Sequence, residues 1–275
     1  MDFFQTLQQL LLASTPHEKI ERFRIFYEHY RRSNTETLCH PSHQPIDFRE
    51  PSYASFCHVV PPQQVPRRKN LQSTEGQIAL VHAVAHIEYS AIDLALDAAY
   101  RFRNLPQRFY DDWLQVADDE IRHFQMLEAI LHDLGSYYGD LSVHNALFEA
   151  QKRTAHSLLH RMAVVPRYLE ANGLDATPQI IDKLQRLPSS STITQIIEAL
   201  KIIVAEEVDH VHKGDYWFGY ACEQEGVAKS SYFDIVERYY PNTFCKPRQI
   251  NIEGRKASGF TCNELKHIAH QHICD

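Results

Sequence analysis

Two short motifs of the same Glu-x-x-His pattern could do chemistry in this chain. Glu120-Ile121-Arg122-His123 and Glu207-Val208-Asp209-His210 each place a glutamate three residues before a histidine, within a stretch of helical periodicity. Because a helix turns by about 100° per residue, the carboxylate and the imidazole of each motif project from one helix face. Carboxylate and imidazole groups bind divalent transition metals, so each motif predicts part of a metal site.

A further glutamate precedes each motif on an otherwise apolar helix face. Glu88 precedes Glu120, and Glu170 precedes Glu207, by similar stretches of chain. This repetition predicts two helical hairpins related by a pseudo-twofold axis. Four carboxylates that face one core need a compensating cation, because an unpaired buried charge is costly. We therefore predict two bridged metal ions, with iron favoured and manganese as the other option, held by Glu88, Glu120, His123, Glu170, Glu207 and His210.

Each of these assignments has a simpler alternative. A single Glu-x-x-His motif arises by chance in helices, so the matched pair carries the prediction. Glu170 lies at the end of its predicted helix and is also consistent with a solvated terminal residue. Asp119 and Glu206 directly precede the motif glutamates, where they can either orient a metal-bound histidine or face solvent. His82 and His86 are expected to be hydrogen-bonded structural histidines.

Four long helices are needed to carry these residues, and residues 74–226 supply them. The helical periodicity is interrupted near residues 104–106, 135–140, 172–178 and 188–191. The third helix is predicted to stop at Asn172-Gly173 with a left-handed C-cap, and Pro166 is expected to kink it or to begin a new helix. The pattern indicates an all-α chain built on a four-helix bundle.

The segments that flank the bundle differ from it in composition. Residues 1–33 predict one or two amphipathic helices, with Thr15 as a candidate cap of a helix that begins at Pro16. Six prolines in residues 34–70 exclude a long helix there, and the Arg67-Arg68-Lys69 run is expected to be a solvated cluster. We expect a wrapping segment at 1–73, the bundle at 74–226 and a C-terminal extension at 227–275.

Composition and charge narrow the classes of function. The chain of 275 residues carries a net charge of -7, which disfavours nucleic acid as a partner because phosphate backbones are bound by clustered Lys and Arg. No segment approaches the roughly 20 apolar residues that span a bilayer, so we expect a soluble protein without a membrane partner. Six cysteines without Cys-x-x-Cys spacing indicate a reducing, cytoplasmic setting.

Several segments together resemble a known family. They are residues 82–88, 119–124, 138–141, 161–175 and 207–211, and the longest reads RMAVVPRYLEANGLD. These segments look like an uncharacterised bacterial domain-of-unknown-function family within the ferritin-like superfamily, and the likeness runs from about Arg67 to Phe260. It implies a ferritin-like four-helix bundle with a di-iron-type site at the six residues named above. The arrangement is more distantly similar to the di-iron hydroxylase that modifies tRNA, to ribonucleotide reductase small subunits and to ferritins.

From these features we expect an oxidoreductase, a di-iron or Mn/Fe oxygenase or oxidase that acts on a small organic substrate. Dioxygen is the expected co-substrate, an electron donor protein the expected partner, and a homodimer the candidate assembly. No catalytic residue beyond the metal ligands is predicted. Two alternatives stay open: oxidation and handling of iron without an organic substrate, which the long extensions disfavour by hindering assembly into shells, and modification of tRNA.

Overall fold

The computed structural model describes residues 2–32, 44–66 and 69–271, and it confirms the prediction of an all-α chain. Within these ranges there is no strand, although Val59 and Val143 form an isolated parallel bridge. Arg67 and Arg68 of the predicted basic cluster lie outside the described residues. In chain order the helices are α1 (Phe3–Leu11), α2 (Pro16–Arg32), α3 (Thr74–Arg101), α4 (Gln107–Asp133), α5 (Ala146–Arg153), α6 (Leu158–Val164), a π-helical turn (Val165–Glu170), α7 (Ala171–Gln185), α8 (Ser191–Glu225), α9 (Ser231–Tyr239), α10 (Ile252–Ala257) and α11 (Cys262–Ala269).

The chain divides into two compact units, Met1–Lys152 and Arg153–Asp275. Each unit contains one long helical hairpin, α3 with α4 in the first and α6–α7 with α8 in the second. The hairpins carry the two Glu-x-x-His motifs, one in each unit. The division of the chain into a wrapping segment, a bundle and a C-terminal extension stays a prediction.

Helix α3 forms the centre of the first unit. The N-cap Ser73 accepts a hydrogen bond from the backbone amide of Gly76, and the helix then packs against both α1 and α4. Its length and composition would also allow it to cross a membrane, but 78% of its most apolar window is buried inside the protein. Such burial is typical of the core helix of a soluble protein.

Helix α2 is attached to α3 by a buried ion pair. The predicted cap is present, because the Thr15 hydroxyl accepts a hydrogen bond of 3.2 Å from the amide of Glu18. One turn later, the fully buried Lys19 donates hydrogen bonds to the Asp93 carboxylate of α3 and, over 2.8 Å, to the Ser52 hydroxyl. Burial lowers the pKa of Lys19, and the Asp93 charge opposes that effect.

The second unit corrects one sequence prediction. The prediction that the third helix stops at Asn172-Gly173 is wrong, since α7 runs through this pair to Gln185 and Gly173 has no positive φ. The apolar stripe continues through Leu174, Ile181 and Leu184, which are all buried. The free energy of packing these side chains outweighs the modest local cost of a glycine in a helix.

The C-terminal part of the second unit packs on α7 through a buried arginine. Arg255 of α10 donates from Nε to Asp175 Oδ1 over 2.9 Å and from Nη2 to Asp175 Oδ2 over 2.7 Å. This two-bond geometry fixes the guanidinium rigidly. Cys262, which begins α11, is disulfide-bonded, which the predicted reducing setting did not anticipate.

Candidate metal centre

The hairpin of the first unit brings its two predicted glutamates level with each other. Glu88 lies as far before the end of α3 at Arg101 as Glu120 lies after the start of α4 at Gln107. A short connection makes α3 and α4 antiparallel neighbours. In such a pair, positions equally far from the turn lie side by side, so the local sequence itself sets this register.

The first half of the predicted site is assembled inside this unit. His123 Nδ1 lies 3.1 Å from Glu88 Oε2 and 3.4 Å from Glu120 Oε2. The ligand atoms of these three residues all lie within 4.8 Å of one another. Glu120 and His123 are 0% exposed and Glu88 is 4% exposed. Two carboxylates and one imidazole therefore converge in the buried interior of the first unit.

The charge balance of this cluster depends on His123. Burial lowers the pKa of His123, but hydrogen bonds and charges from Glu120 and Glu88 more than compensate and raise it to about 11. An imidazolium would thus neutralise one of the two carboxylates. The cluster favours a cation at this position, and a divalent ion bound by the deprotonated imidazole can replace the proton.

The second half of the predicted site lies in the second unit. His210 Nδ1 is 3.4 Å from Glu207 Oε1, His210 is 0% exposed and Glu207 is 9% exposed. Glu170 is half-buried and ends the π-helical turn. It lies nearly as far before the end of α7 at Gln185 as Glu207 lies after the start of α8 at Ser191.

The packing of the π turn on α8 fixes the register of this second hairpin. Pro166 lies so close to Gly214 that a Cβ on the glycine would be 2.4 Å from the Cβ of the proline. Gly214 shares a helix face with Glu207 and His210, because the three positions are separated by three and four residues. Counting along the two antiparallel chains from the contact of Pro166 with Gly214 places Glu170 level with His210.

The π turn itself has a local cause. A proline in a helix has no amide to donate, and its ring clashes with the carbonyl four residues earlier. Here the helix widens into a single π turn, Val165–Glu170, which contains Pro166. Such turns are rare and are often found at functional sites. The sequence showed the proline but not the form of the adjustment.

The predicted structural histidines lie next to the first half-site. His82 Nε2 accepts hydrogen bonds from the amides of Gly139 over 3.0 Å and Leu141 over 3.3 Å, and burial lowers the pKa of His82 to about 4. His86 pairs through Nδ1 with the Tyr138 hydroxyl at 2.9 Å and through Nε2 with a backbone carbonyl of the same loop at 2.7 Å. Both histidines therefore hold the loop after α4 against α3.

The two acidic residues that precede the motif glutamates differ in their surroundings. The Asp119 carboxylate accepts a hydrogen bond of 2.5 Å from Arg122 on the same helix, and its side chain is 16% exposed. Glu206 is half-buried on α8. A role for either residue in orienting a metal-bound histidine stays a prediction.

The sequence did not reveal how strongly the second half-site is supported. Arg167, on the π turn, is 1% exposed and forms ion pairs with Asp215 and Glu264. Its partners lie 48 and 97 residues further along the chain. In the sequence, Arg167 is visible only as a basic residue beside an apolar stripe. Such a residue most often extends its charged end to solvent.

Comparison with known proteins gives a family without an assigned activity. The family described as "Protein of unknown function (DUF455)" matches residues 12–266. A protein of Haemophilus influenzae described as "Uncharacterized protein" is 34% identical over 284 residues, which cover 97% of this chain and 93% of that protein. No solved structure matches the chain.

Proposed function

The chain belongs to the DUF455 family, and for it we propose a two-metal oxidoreductase that activates dioxygen, with iron favoured over manganese. The observation that carries this proposal is the buried convergence of Glu88, Glu120 and His123. His123 Nδ1 lies 3.1 Å from Glu88 Oε2 and 3.4 Å from Glu120 Oε2, which is a spacing that one bound metal ion could bridge.

We propose that the two hairpins contribute to one ferritin-like four-helix bundle. Each hairpin then gives one upstream glutamate and one Glu-x-x-His pair to a carboxylate-bridged site. The level positions of Glu88 and Glu120 in the first hairpin, and of Glu170 and His210 in the second, support this reading. The ligands of the site are Glu88, Glu120, His123, Glu170, Glu207 and His210.

The donor set fits iron or manganese better than structural zinc. Carboxylates and imidazoles suit these metals, whereas closed zinc sites favour thiolates. When bound, the ions would supply one-electron redox chemistry and the activation of dioxygen. The chain contributes a buried environment, since Glu120 and His123 are fully buried. It also contributes the ring nitrogen His123 Nδ1, which must lose its proton before it can bind a metal.

We propose a small organic substrate, an electron donor protein, a cytoplasmic location and a homodimeric assembly. Nucleic acid is not proposed as substrate, because the net charge of -7 disfavours binding to phosphate backbones.

The experiment is to load metal-free protein with iron(II) under anaerobic conditions and then to measure oxygen consumption. We expect slow consumption without substrate and faster consumption when a reductant and a library of small organic compounds are added.

Rapid consumption of oxygen by the iron alone would instead indicate metal handling, and size exclusion would then show a cage far larger than a dimer. Loss of one modified nucleoside from tRNA in a deletion strain would indicate tRNA modification. Failure to bind either iron or manganese would exclude all three.

A further inference from the structure

A buried arginine ties the π turn to two other helices of the second unit. Arg167 lies three residues before Glu170 and is 1% exposed. Its Nε donates to Asp215 Oδ1 over 2.7 Å, and its Nη2 donates to Glu264 Oε1 over 2.7 Å. Asp215 belongs to α8 and Glu264 to α11, so one guanidinium joins the π turn to both helices.

Aromatic side chains complete the enclosure of this cation. The guanidinium carbon lies 4.2 Å from the ring centre of Tyr232 and 4.6 Å from that of Phe260. The Tyr232 hydroxyl donates a hydrogen bond of 3.1 Å to the backbone carbonyl of Arg167. Both the side chain and the backbone carbonyl of Arg167 are therefore held in place. A buried cation with such partners does not move freely.

Glu264 is itself fixed before it reaches Arg167. It occupies the third position of α11 in a capping box, in which Glu264 Oε2 accepts a hydrogen bond of 2.8 Å from the amide of Thr261. Its other oxygen, Oε1, accepts the bond from Arg167. One carboxylate thus connects the start of the last helix to the π turn.

This connection bears on Glu170 because the π turn sets the direction of its side chain. A π turn holds one residue more than the corresponding α-helical turn, and one residue in a helix corresponds to about 100° of rotation and about 1.5 Å of rise. If the turn relaxed to α-helix, the carboxylate of Glu170 would point away from its present direction. A rare backbone form persists only where the surroundings hold it.

We propose that Arg167 and Glu264 are positioning residues, which lock the π turn so that Glu170 presents its carboxylate to the metal site. The C-terminal extension thereby controls metal affinity, although none of its residues is a ligand. This inference rests on the proposed function. It adds a role for α11 that the ligand set alone does not give.

The test compares Glu264→Gln with the control Glu253→Gln. Glu253 is a glutamate of α10 whose side chain is 86% exposed and pairs with Lys256. Iron(II) titration by calorimetry should show two ions in wild type and in the control. In Glu264→Gln the affinity for one ion should fall about 10-fold, because the neutral amide weakens the charge-assisted bond to Arg167. Helical content by circular dichroism should stay unchanged.

A second variant and a measurement without metal distinguish failure of the lock from failure of the proposed function. Arg167→Lys retains the charge but cannot bond two carboxylates as a fork, so it should also weaken one ion. Hydrogen exchange of the amides at residues 165–170 should accelerate in both variants without metal.

Unchanged exchange would overturn the lock, and unchanged affinity with accelerated exchange would overturn its link to the metal. Unfolding of both variants would assign the lock to the whole fold instead. If wild type binds no iron, the proposed function fails, while the exchange data still report on the lock.

Discussion

Replacement of Lys19 by methionine should strongly destabilise the protein. The substitution keeps most of the length of the side chain but removes its charge from a position that is 0% exposed. The Asp93 carboxylate would keep the hydrogen bond of 2.6 Å from Ser52 but lose its counterion. Removal of one partner from a buried ion pair costs about 3–5 kcal/mol. Because the Asp93 side chain is 11% exposed and retains Ser52, we expect about 3 kcal/mol.

A double mutant separates the ion pair from simple loss of packing. In Lys19→Met with Asp93→Leu both charges are gone, and apolar replacement of a buried pair is often neutral or stabilising. The double mutant should therefore unfold within about 1 kcal/mol of wild type. Urea unfolding at pH 7, followed by far-ultraviolet circular dichroism, measures both values. Lys201→Met, at an exposed lysine of α8, is the matched control and should change stability by less than about 0.5 kcal/mol.

Two results would show that the buried ion pair does not stabilise the fold in this way. If Lys19→Met unfolds within about 1 kcal/mol of wild type, the ion pair does not contribute as a buried pair should. If the double mutant is as unstable as the single mutant, the loss comes from the packing of the lysine side chain and not from an isolated carboxylate.

Three further perturbations test other parts of the structure. His82 is neutral when folded because burial lowers its pKa from 6.5 to about 4. Its contribution to the free energy of unfolding should therefore be complete above pH 6.5 and decline by up to about 3 kcal/mol as the pH falls to 4. His82→Gln should flatten this pH dependence in urea titrations. Gly173→Ala should raise the free energy of unfolding by about 0.5–1 kcal/mol, since its Cβ would meet nothing within 4 Å. Gly214→Ala should lower the free energy of unfolding by about 1–3 kcal/mol through its clash with Pro166. If both variants shift the thermal unfolding temperature in the same direction, α7 and α8 do not follow the paths described. Glu170→Ala should reduce bound metal without loss of helical content, and unchanged metal analysis would remove Glu170 from the ligand set.

The elements that the sequence predicted well are those fixed by local chemistry. The break before α4 follows from Asn104-Leu105-Pro106, and the N-cap at Thr15 follows from its position before Pro16. The meeting of Glu88 with Glu120 and His123 follows from helical periodicity on both sides of a short turn. In each case the decisive residues are close together in the sequence.

The elements that the sequence did not predict depend on distant contacts. The pair Asn172-Gly173 carries a strong local stop signal, but buried side chains further along α7 continue the helix. The pairing of Arg167 with Glu264, which holds the π turn around Pro166, joins residues 97 positions apart. No local pattern reports such contacts, because the favourable free energy arises only when the helices pack.

We propose that inward carboxylates and imidazoles from both hairpins bind two ions. Anaerobic iron(II) titration of metal-free protein tests it most directly, with His123→Ala and His210→Ala as one variant for each hairpin. We predict that wild type binds two ions per chain and that each variant loses affinity for at least one. Uptake of less than one ion by wild type, or the same uptake by wild type and both variants, would show that these residues do not form a two-metal site.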